Sequence, residues 1–265
     1  MLLVIDSGNT NVVFGLYDGI KKMGQWRLKN EPQRPGDEYI GFLNQWVSLA
    51  GYSLDAIDDV IISSVVPEAL FNLKFMAKRY FKKKPFVVGE PSVKLKMVLK
   101  IDKPETLGAD RLVSAYGGYK RYGGPLIIID FGTATTLEVV DEKGRYLGGA
   151  IAPGVKLSLK ALYDAAAKLP PVTFARTDHV IGTRTGSAMQ AGAYWGYVGM
   201  IEGLVKRTRQ EYITSHGSAD IKIVTTGGLS SLFFQDLSFV HYVNESLTLD
   251  SLAVVYSEFC KNKKA

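Results

Sequence analysis

Residues 2–11 read Leu2-Leu3-Val4-Ile5-Asp6-Ser7-Gly8-Asn9-Thr10-Asn11, and residues 127–136 read Ile127-Ile128-Ile129-Asp130-Phe131-Gly132-Thr133-Ala134-Thr135-Thr136. Each stretch is an apolar run, then Asp-x-Gly, then small hydroxyl or amide side chains. Each continues into a second β-like stretch, 12–17 in one place and 136–140 in the other. A short apolar run bounded by turn residues reads as a buried strand. Glycine followed by Asn or Thr lets the chain reverse. Both stretches therefore predict strand, tight turn, strand. The two aspartates lie 124 residues apart in a chain of 265, close to half its length. One Asp-x-Gly is a common turn, but two in matched surroundings indicate an internal duplication.

Outward from these turns, strand-like runs fall at 2–5, 12–17, 60–66, 126–129, 134–140 and 221–225. Helical patterns fall at 36–50, 67–82, 105–122, 154–167, 183–213 and 249–260. The alternation gives an α/β fold. A duplicated strand-turn-strand unit implies two similar domains, each with a mixed sheet and flanking helices, facing one another across a cleft where ligands bind. No linker rich in Pro, Gly or Ser separates them. The expected halves are 1–113, with the first turn, and 114–265, with the second.

Composition bounds the function. With 46% hydrophobic and 22% charged residues the chain is globular. By surface scaling, about three quarters of its surface can be buried on folding. Cys260 is the single cysteine, which excludes an internal disulfide, and the three histidines show no metal-ligand spacing. The apolar start reaches Asp6 too early for a signal-peptide core, so a cytoplasmic protein is expected. The longest charge-free stretch, 185–201, has 17 residues with four glycines, which predicts no membrane helix. A net charge of +6 invites a nucleic-acid partner, yet the excess sits in clusters such as Lys82-Lys83-Lys84 and the tail lysines Lys261, Lys263 and Lys264. These read as solvated helix ends, so no nucleic acid is expected, and a mild positive field suits a small anionic substrate.

Four segments can carry chemistry. In the first turn, a close backbone with Asn and Thr donors can cradle phosphate oxygens; a plain hairpin turn with Asn and Gly chosen for positive φ is the alternative. Asp6 would repel a phosphate unless a cation lay between them. The same logic applies to Asp130 and the threonines after it. Thr225-Thr226-Gly227-Gly228 follows a strand, and its glycines would let a flat ring lie on the backbone; a plain strand-to-helix turn is the alternative. Gly108-Ala109-Asp110-Arg111 opens a helix. Its acid and base, about 100° apart around the axis, could serve separately as proton acceptor and anion holder, or be no more than an N-terminal acid and a surface arginine. Gly-Lys never occurs, no Gly-x-Gly-x-x-Gly follows a strand and His-Arg-Asp is missing, so ATP would have to be bound through the Asp-Gly turns. Residues 183–201 lack a polar face and must be buried, in the core or against a second copy.

Together the first turn, Gly108-Ala109-Asp110-Arg111, the second turn and Thr225-Thr226-Gly227-Gly228 resemble the type III pantothenate kinases. So do Ser63-Ser64-Val65-Val66-Pro67, Gly149-Ala150-Ile151-Ala152-Pro153-Gly154 and Met189-Gln190-Ala191-Gly192. The likeness covers essentially the whole chain. It implies two ribonuclease-H-like domains of the actin-like ATPase superfamily, and transfer of the ATP γ-phosphate to pantothenate as the first step toward coenzyme A. By the same resemblance Asp6, Ser7, Gly8, Asn9, Thr10, Asn11, Val12 and Val13 form the first phosphate loop, and Thr133 contacts ATP. Asp110 is the general base, and Gly108, Ala109, Asp110, Arg111 and Thr185 contact pantothenate, Thr185 in a pocket shared across a homodimer. Asp130 holds a monovalent cation, potassium or ammonium, beside Mg-ATP. Two departures stand out. Ile101 occupies the place of a frequent tyrosine before Asp102, which removes a possible hydrogen bond to substrate. Ser7 replaces a usual isoleucine or valine and is expected at the edge of the core. A sugar or carboxylate kinase of the same fold and a non-enzymatic ATP-binding regulator are the rival readings.

Overall fold

A computed structural model describes residues 1–91, 93–165, 172–217 and 220–264, the last four by backbone alone. Five strands, β1 (Leu2–Ser7), β2 (Asn11–Asp18), β3 (Lys21–Lys29), β4 (Asp59–Ser64) and β5 (Phe86–Val87), form one sheet in the order β3-β2-β1-β4-β5. Five more, β6 (Leu126–Phe131), β7 (Ala134–Val140), β8 (Tyr146–Pro153), β9 (Lys222–Thr226) and β10 (Tyr242–Val243), form a second in the order β10-β9-β6-β7-β8. In each sheet the first strand is antiparallel to the second and parallel to the fourth. Ile5 thus pairs with Phe14 and Ile62, as Ile129 pairs with Leu137 and Thr225. The duplication expected from the two turns is present as two mixed sheets of the same topology.

The helices are α1 (Gly36–Leu49), α2 (Pro67–Tyr80), α3 (Ala109–Tyr122), α4 (Val155–Ala165), α5 (Thr185–His216), α6 (Ser230–Phe234) and α7 (Leu247–Lys264). Proline opens α2, with Glu68 in its first turn and Lys78 and Arg79 in its last, as the backbone dipole favours. Gly217, at φ 73°, closes α5 in the left-handed conformation. Positions 166 and 167 of the expected helix 154–167 lie outside the described residues. Among the described residues no helix is long and apolar enough to cross a membrane.

Packing divides the chain into two compact units, Met1–Arg121 with Ser246–Ala265, and Tyr122–Glu245. In the first unit both faces of the sheet are covered. Leu3 and Ile5 pack with Leu43 of α1 and Leu73 and Met76 of α2, while Leu2 and Val4 pack with Val113 of α3 and Leu252 and Ala253 of α7. This double burial is why β1 reads as an unbroken apolar run, where a strand with one wet face would alternate. The sequence expectation kept all of 114–265 together; in the structure α7 packs with the first unit. No local signal announces that return, because the apolar face of α7 would suit either sheet. In the second unit Ile127, Ile129 and Phe131 pack on Tyr194, Tyr197, Val198 and Ile201 of α5 and Phe233 of α6.

Strands β3, β5, β8 and β10 lie outside the expected runs. β3 is an edge strand with charged residues at Lys21, Lys22, Arg27 and Lys29, and only Met23, Trp26 and Leu28 pack against the core. β8 carries glycines that look loop-like, but a Cβ at Gly149 would overlap the Leu137 carbonyl of β7. There glycine permits close strand approach.

Candidate active site

In the first unit, β1 ends in Asp6 and Ser7, which point to opposite faces. Asp6 pairs with Val13 and Ser63, Ser7 with Val12 and Ser64. The Gly8 N–H donates to the Asn11 carbonyl at 3.0 Å, closing the turn, and Asn9 and Thr10 are exposed at its tip. The Ser7 side chain, expected at the core's edge, is 1% exposed, and its Oγ has no partner among the described residues. Val12 is fully buried. Of the eight expected loop residues, these two can therefore offer a ligand backbone groups only.

Gly108-Ala109-Asp110-Arg111 is brought to the same place. Asp110 Oδ1 accepts the Arg111 backbone N–H at 2.7 Å at the start of α3. A Cβ on Gly108 would lie 2.5 Å from Asp110 Oδ1 and 3.5 Å from Val65 Cγ1. The Val65 N–H in turn donates to the Ser7 carbonyl at 3.1 Å. The space where a side chain at 108 would stand is thus bounded by Asp110 and by Val65, which is bonded to the end of β1. This explains the glycine at 108 and the position of the Ser63-Ser64-Val65-Val66-Pro67 segment, whose two serines end β4.

Asn30, which sequence reasoning missed, holds the other side of this turn. It directly follows β3, is 6% exposed, and bonds Thr10 O through its backbone N–H at 2.8 Å and Gly8 O through Nδ2 at 2.6 Å. Nothing in the local pattern marks it, since β3 itself was unread.

In the second unit Asp130 pairs with Thr136 and Thr226. The residue after Thr226 is Gly227, at φ +87°, where a Cβ would overlap Asp130 Oδ1 and lie 2.7 Å from Phe131 O. A carboxylate and a carbonyl oxygen therefore converge over a glycine, and the second turn and the third glycine segment form one structure. Thr133 is exposed at the turn, and its carbonyl accepts the Gly154 N–H at 3.0 Å. A Cβ on Gly154 would overlap that same carbonyl, so only glycine lets the chain after β8 brace the turn. Thr135 is buried and hydrogen-bonded to Tyr197 of α5. Burial, and the nearby negative charge of Asp130, push the Tyr197 phenol up from its ordinary pKa, which keeps it protonated.

Thr185 is the first residue of α5. It lines an open groove of about 850 Å³ with Leu159, Leu162, Arg184, Met189 and Tyr197. Tyr197 therefore touches both groove and turn. Residues 183–201, expected in the core or against a second copy, have Tyr194, Tyr197 and Val198 in the core and Ala188, Gly192 and Gly196 exposed on the single chain.

Among the described residues no three His, Cys, Asp or Glu side chains cluster to hold a metal. The donors at the turns are single carboxylates with hydroxyl and carbonyl oxygens, a hard set that suits magnesium or potassium shared with phosphate oxygens. Exposed amides and hydroxyls at two glycine turns, each beside a strand-end carboxylate, suit a polyphosphate with its cations.

The type III pantothenate kinase family profile matches residues 2–207. The type III pantothenate kinase of Rhodospirillum rubrum is 49% identical over 97% of this chain and 98% of its own length. That of Paramagnetospirillum magneticum is 48% identical over 97% and 96%. Among solved structures, a conserved Baf family protein from Campylobacter jejuni superposes with TM-score 0.61 at 19% identity, covering 99% of this chain and 100% of its own. An activator of 2-hydroxyisocaproyl-CoA dehydratase from Clostridium difficile does so with TM-score 0.51 at 12% identity, covering 99% and 97%. These two share the fold.

A methyl group at 227 would both force a left-handed φ on alanine and land on the Asp130 carboxylate. Gly227→Ala should cost about 1–3 kcal/mol of stability in urea unfolding. A midpoint equal to that of the parent protein would show that Asp130 and Gly227 are not in contact.

Proposed function

The chain belongs to the type III pantothenate kinase family, and on that premise we propose that Asp110 is the general base of its phosphoryl transfer. The protein phosphorylates pantothenate in coenzyme A biosynthesis, using ATP with a divalent metal. One observation carries the assignment of the base. The missing side chain at Gly108 leaves the Asp110 carboxylate room near Val65, whose N–H is bonded to the Ser7 carbonyl at the end of the strand that bears the first turn. In this reading the pantothenate hydroxyl oxygen attacks the γ-phosphorus, its proton passes to Asp110, and the bond to the bridging oxygen of ADP breaks. Little covalent chemistry falls to the protein, so positioning and charge stabilisation supply most of the rate.

The remaining roles follow the chemistry of each group. Residues 6–13 take ATP phosphates, the exposed Asn9 and Thr10 by side chain and Ser7 and Val12 by backbone, and Thr133 contacts ATP from the second turn. Arg111 suits the pantothenate carboxylate, since a guanidinium pairs bidentately with it. Gly108 and Ala109 contact pantothenate, and Thr185 does so in a pocket shared across a homodimer. Asp130 holds a monovalent cation, potassium or ammonium. The convergence of its carboxylate with Phe131 O over Gly227 supports this, because a singly charged ion needs one carboxylate and neutral oxygens. When bound, such an ion offsets phosphate charge. The location is cytoplasmic.

The protein is a homodimer in this reading. Leu162 is exposed in the groove that Thr185 lines, and Val180 and Ile181, which directly precede its lining residue Gly182 in sequence, are exposed as well, Ile181 by 85%. An apolar surface of this kind, floored by glycines that allow close helix approach, suits a second copy of the chain.

Purified protein with Mg-ATP should phosphorylate pantothenate and not a panel of sugars, faster with potassium than without. Phosphorylation of a sugar in its place would overturn the acceptor, and equal rates without monovalent cations would remove that role from Asp130. Asp110→Asn should lower kcat by about 10²- to 10⁴-fold with ATP affinity near normal; an unchanged kcat would exclude it as the base. Nothing lies within 4 Å of a Cβ at Gly192, so Gly192→Glu should leave the protomer folded. In sedimentation that variant should be monomeric where the parent is dimeric. A parent protein that sediments as a monomer at micromolar concentration sinks the dimer.

A further inference from the structure

Asn30 makes two hydrogen bonds to the first turn, to the carbonyls of Gly8 and Thr10, the residues before and after Asn9. Its backbone N–H, on Thr10 O, continues the β2–β3 ladder one step beyond the Asn11–Lys29 pair. Its side chain reaches separately to Gly8 O at 2.6 Å. In a trans peptide the C=O and the following N–H point in opposite directions, and among the described residues only Gly124-Pro125 is cis. A Gly8 carbonyl held toward Asn30 therefore turns the Asn9 N–H away from it. A Thr10 carbonyl held the same way turns the Asn11 N–H away as well. Two amides of the turn are thus aimed in a common direction from behind.

The side chain is built for this one task. Asn30 is 6% exposed, and its Oδ1 is buried with no partner among the described residues. The amide cannot be flipped without setting Oδ1 against Gly8 O, so the donor is locked on the turn. Such a group retained at a buried site, with half its hydrogen-bonding capacity unmet, calls for an explanation.

We propose that Asn30 is a positioning residue for the nucleotide: its side-chain amide fixes the Gly8–Asn9 peptide so that the Asn9 N–H faces a phosphate oxygen. This rests on reading the first turn as a phosphate cradle. Asn30 touches no ligand itself; it acts through the peptide that it orients.

Three variants test the proposal. Asn30→Leu removes the donor at similar size, Asn30→Asp replaces it with an acceptor facing Gly8 O, and Asn9→Pro deletes the aimed N–H itself. For the two Asn30 variants we expect KM for ATP to rise about 3- to 10-fold, the range for one lost neutral hydrogen bond, more for Asp than for Leu. KM for pantothenate should stay within about twofold, and adenosine, which has no phosphate, should bind each variant as it binds the parent by calorimetry. A split of this kind cannot come from a purely structural defect. If both Asn30 variants keep the parental KM for ATP while Asn9→Pro raises it, the cradle stands and the positioning role falls. If KM rises for both substrates together with a lower Tm, Asn30 is only a structural clamp and the proposal is overturned. If Asn9→Pro also leaves ATP unaffected, the cradle reading itself fails, and the proposal with it.

Discussion

A carboxylate sunk into an apolar sheet without compensation costs several kcal/mol, and this constraint shapes both halves of the chain. β1 is covered on both faces, so its interior positions must be apolar, and it is: Leu3, Val4 and Ile5 are fully buried. β6 follows with Leu126, Ile127, Ile128 and Ile129. An aspartate can appear only where each strand emerges, and Asp6 and Asp130 are both half-buried at that point. The turn that follows must then keep the chain close, which calls for glycine. The strand-end carboxylate and the glycine turn in each half are thus a consequence of where a buried strand can become polar.

The two turns are braced by different means. Asn30 holds the first from an edge strand, through a side chain and a backbone N–H. Gly154 holds the second through backbone alone, and Gly227 presses against Asp130 from the neighbouring strand. The loops differ in length too, with residues 8–11 between the last paired positions of β1 and β2 and 132–134 between those of β6 and β7. The two halves share the sheet topology and the strand-end aspartate, while the supports of their turns differ.

Helix α5 links the groove to the second turn. Thr185 and Tyr197 both line the groove, and Tyr197 is hydrogen-bonded to Thr135 within the field of Asp130. A buried tyrosine whose proton is held firmly is a fixed hydrogen-bonding group, so the wall of the groove and the turn are positioned against each other rather than independently.

Much of this was legible in the sequence. The duplicated apolar-Asp-x-Gly pattern determined the α/β class and the two mixed sheets, because a strand buried on both faces must be continuously apolar and its exit must turn. The order of short motifs determined the family. What only the tertiary structure decided were the relations that no local pattern encodes. The edge strand β3 is polar enough to read as loop, so Asn30 behind it was invisible. Gly108, Gly154 and Gly227 are glycines in any reading, but that each one's missing Cβ is the space taken by Asp110, Thr133 or Asp130 depends on residues brought together by folding. The return of α7 to the first unit and the one-sided burial of α5 are decided likewise by packing, since an apolar face specifies that it must be covered and leaves its cover to the rest of the fold.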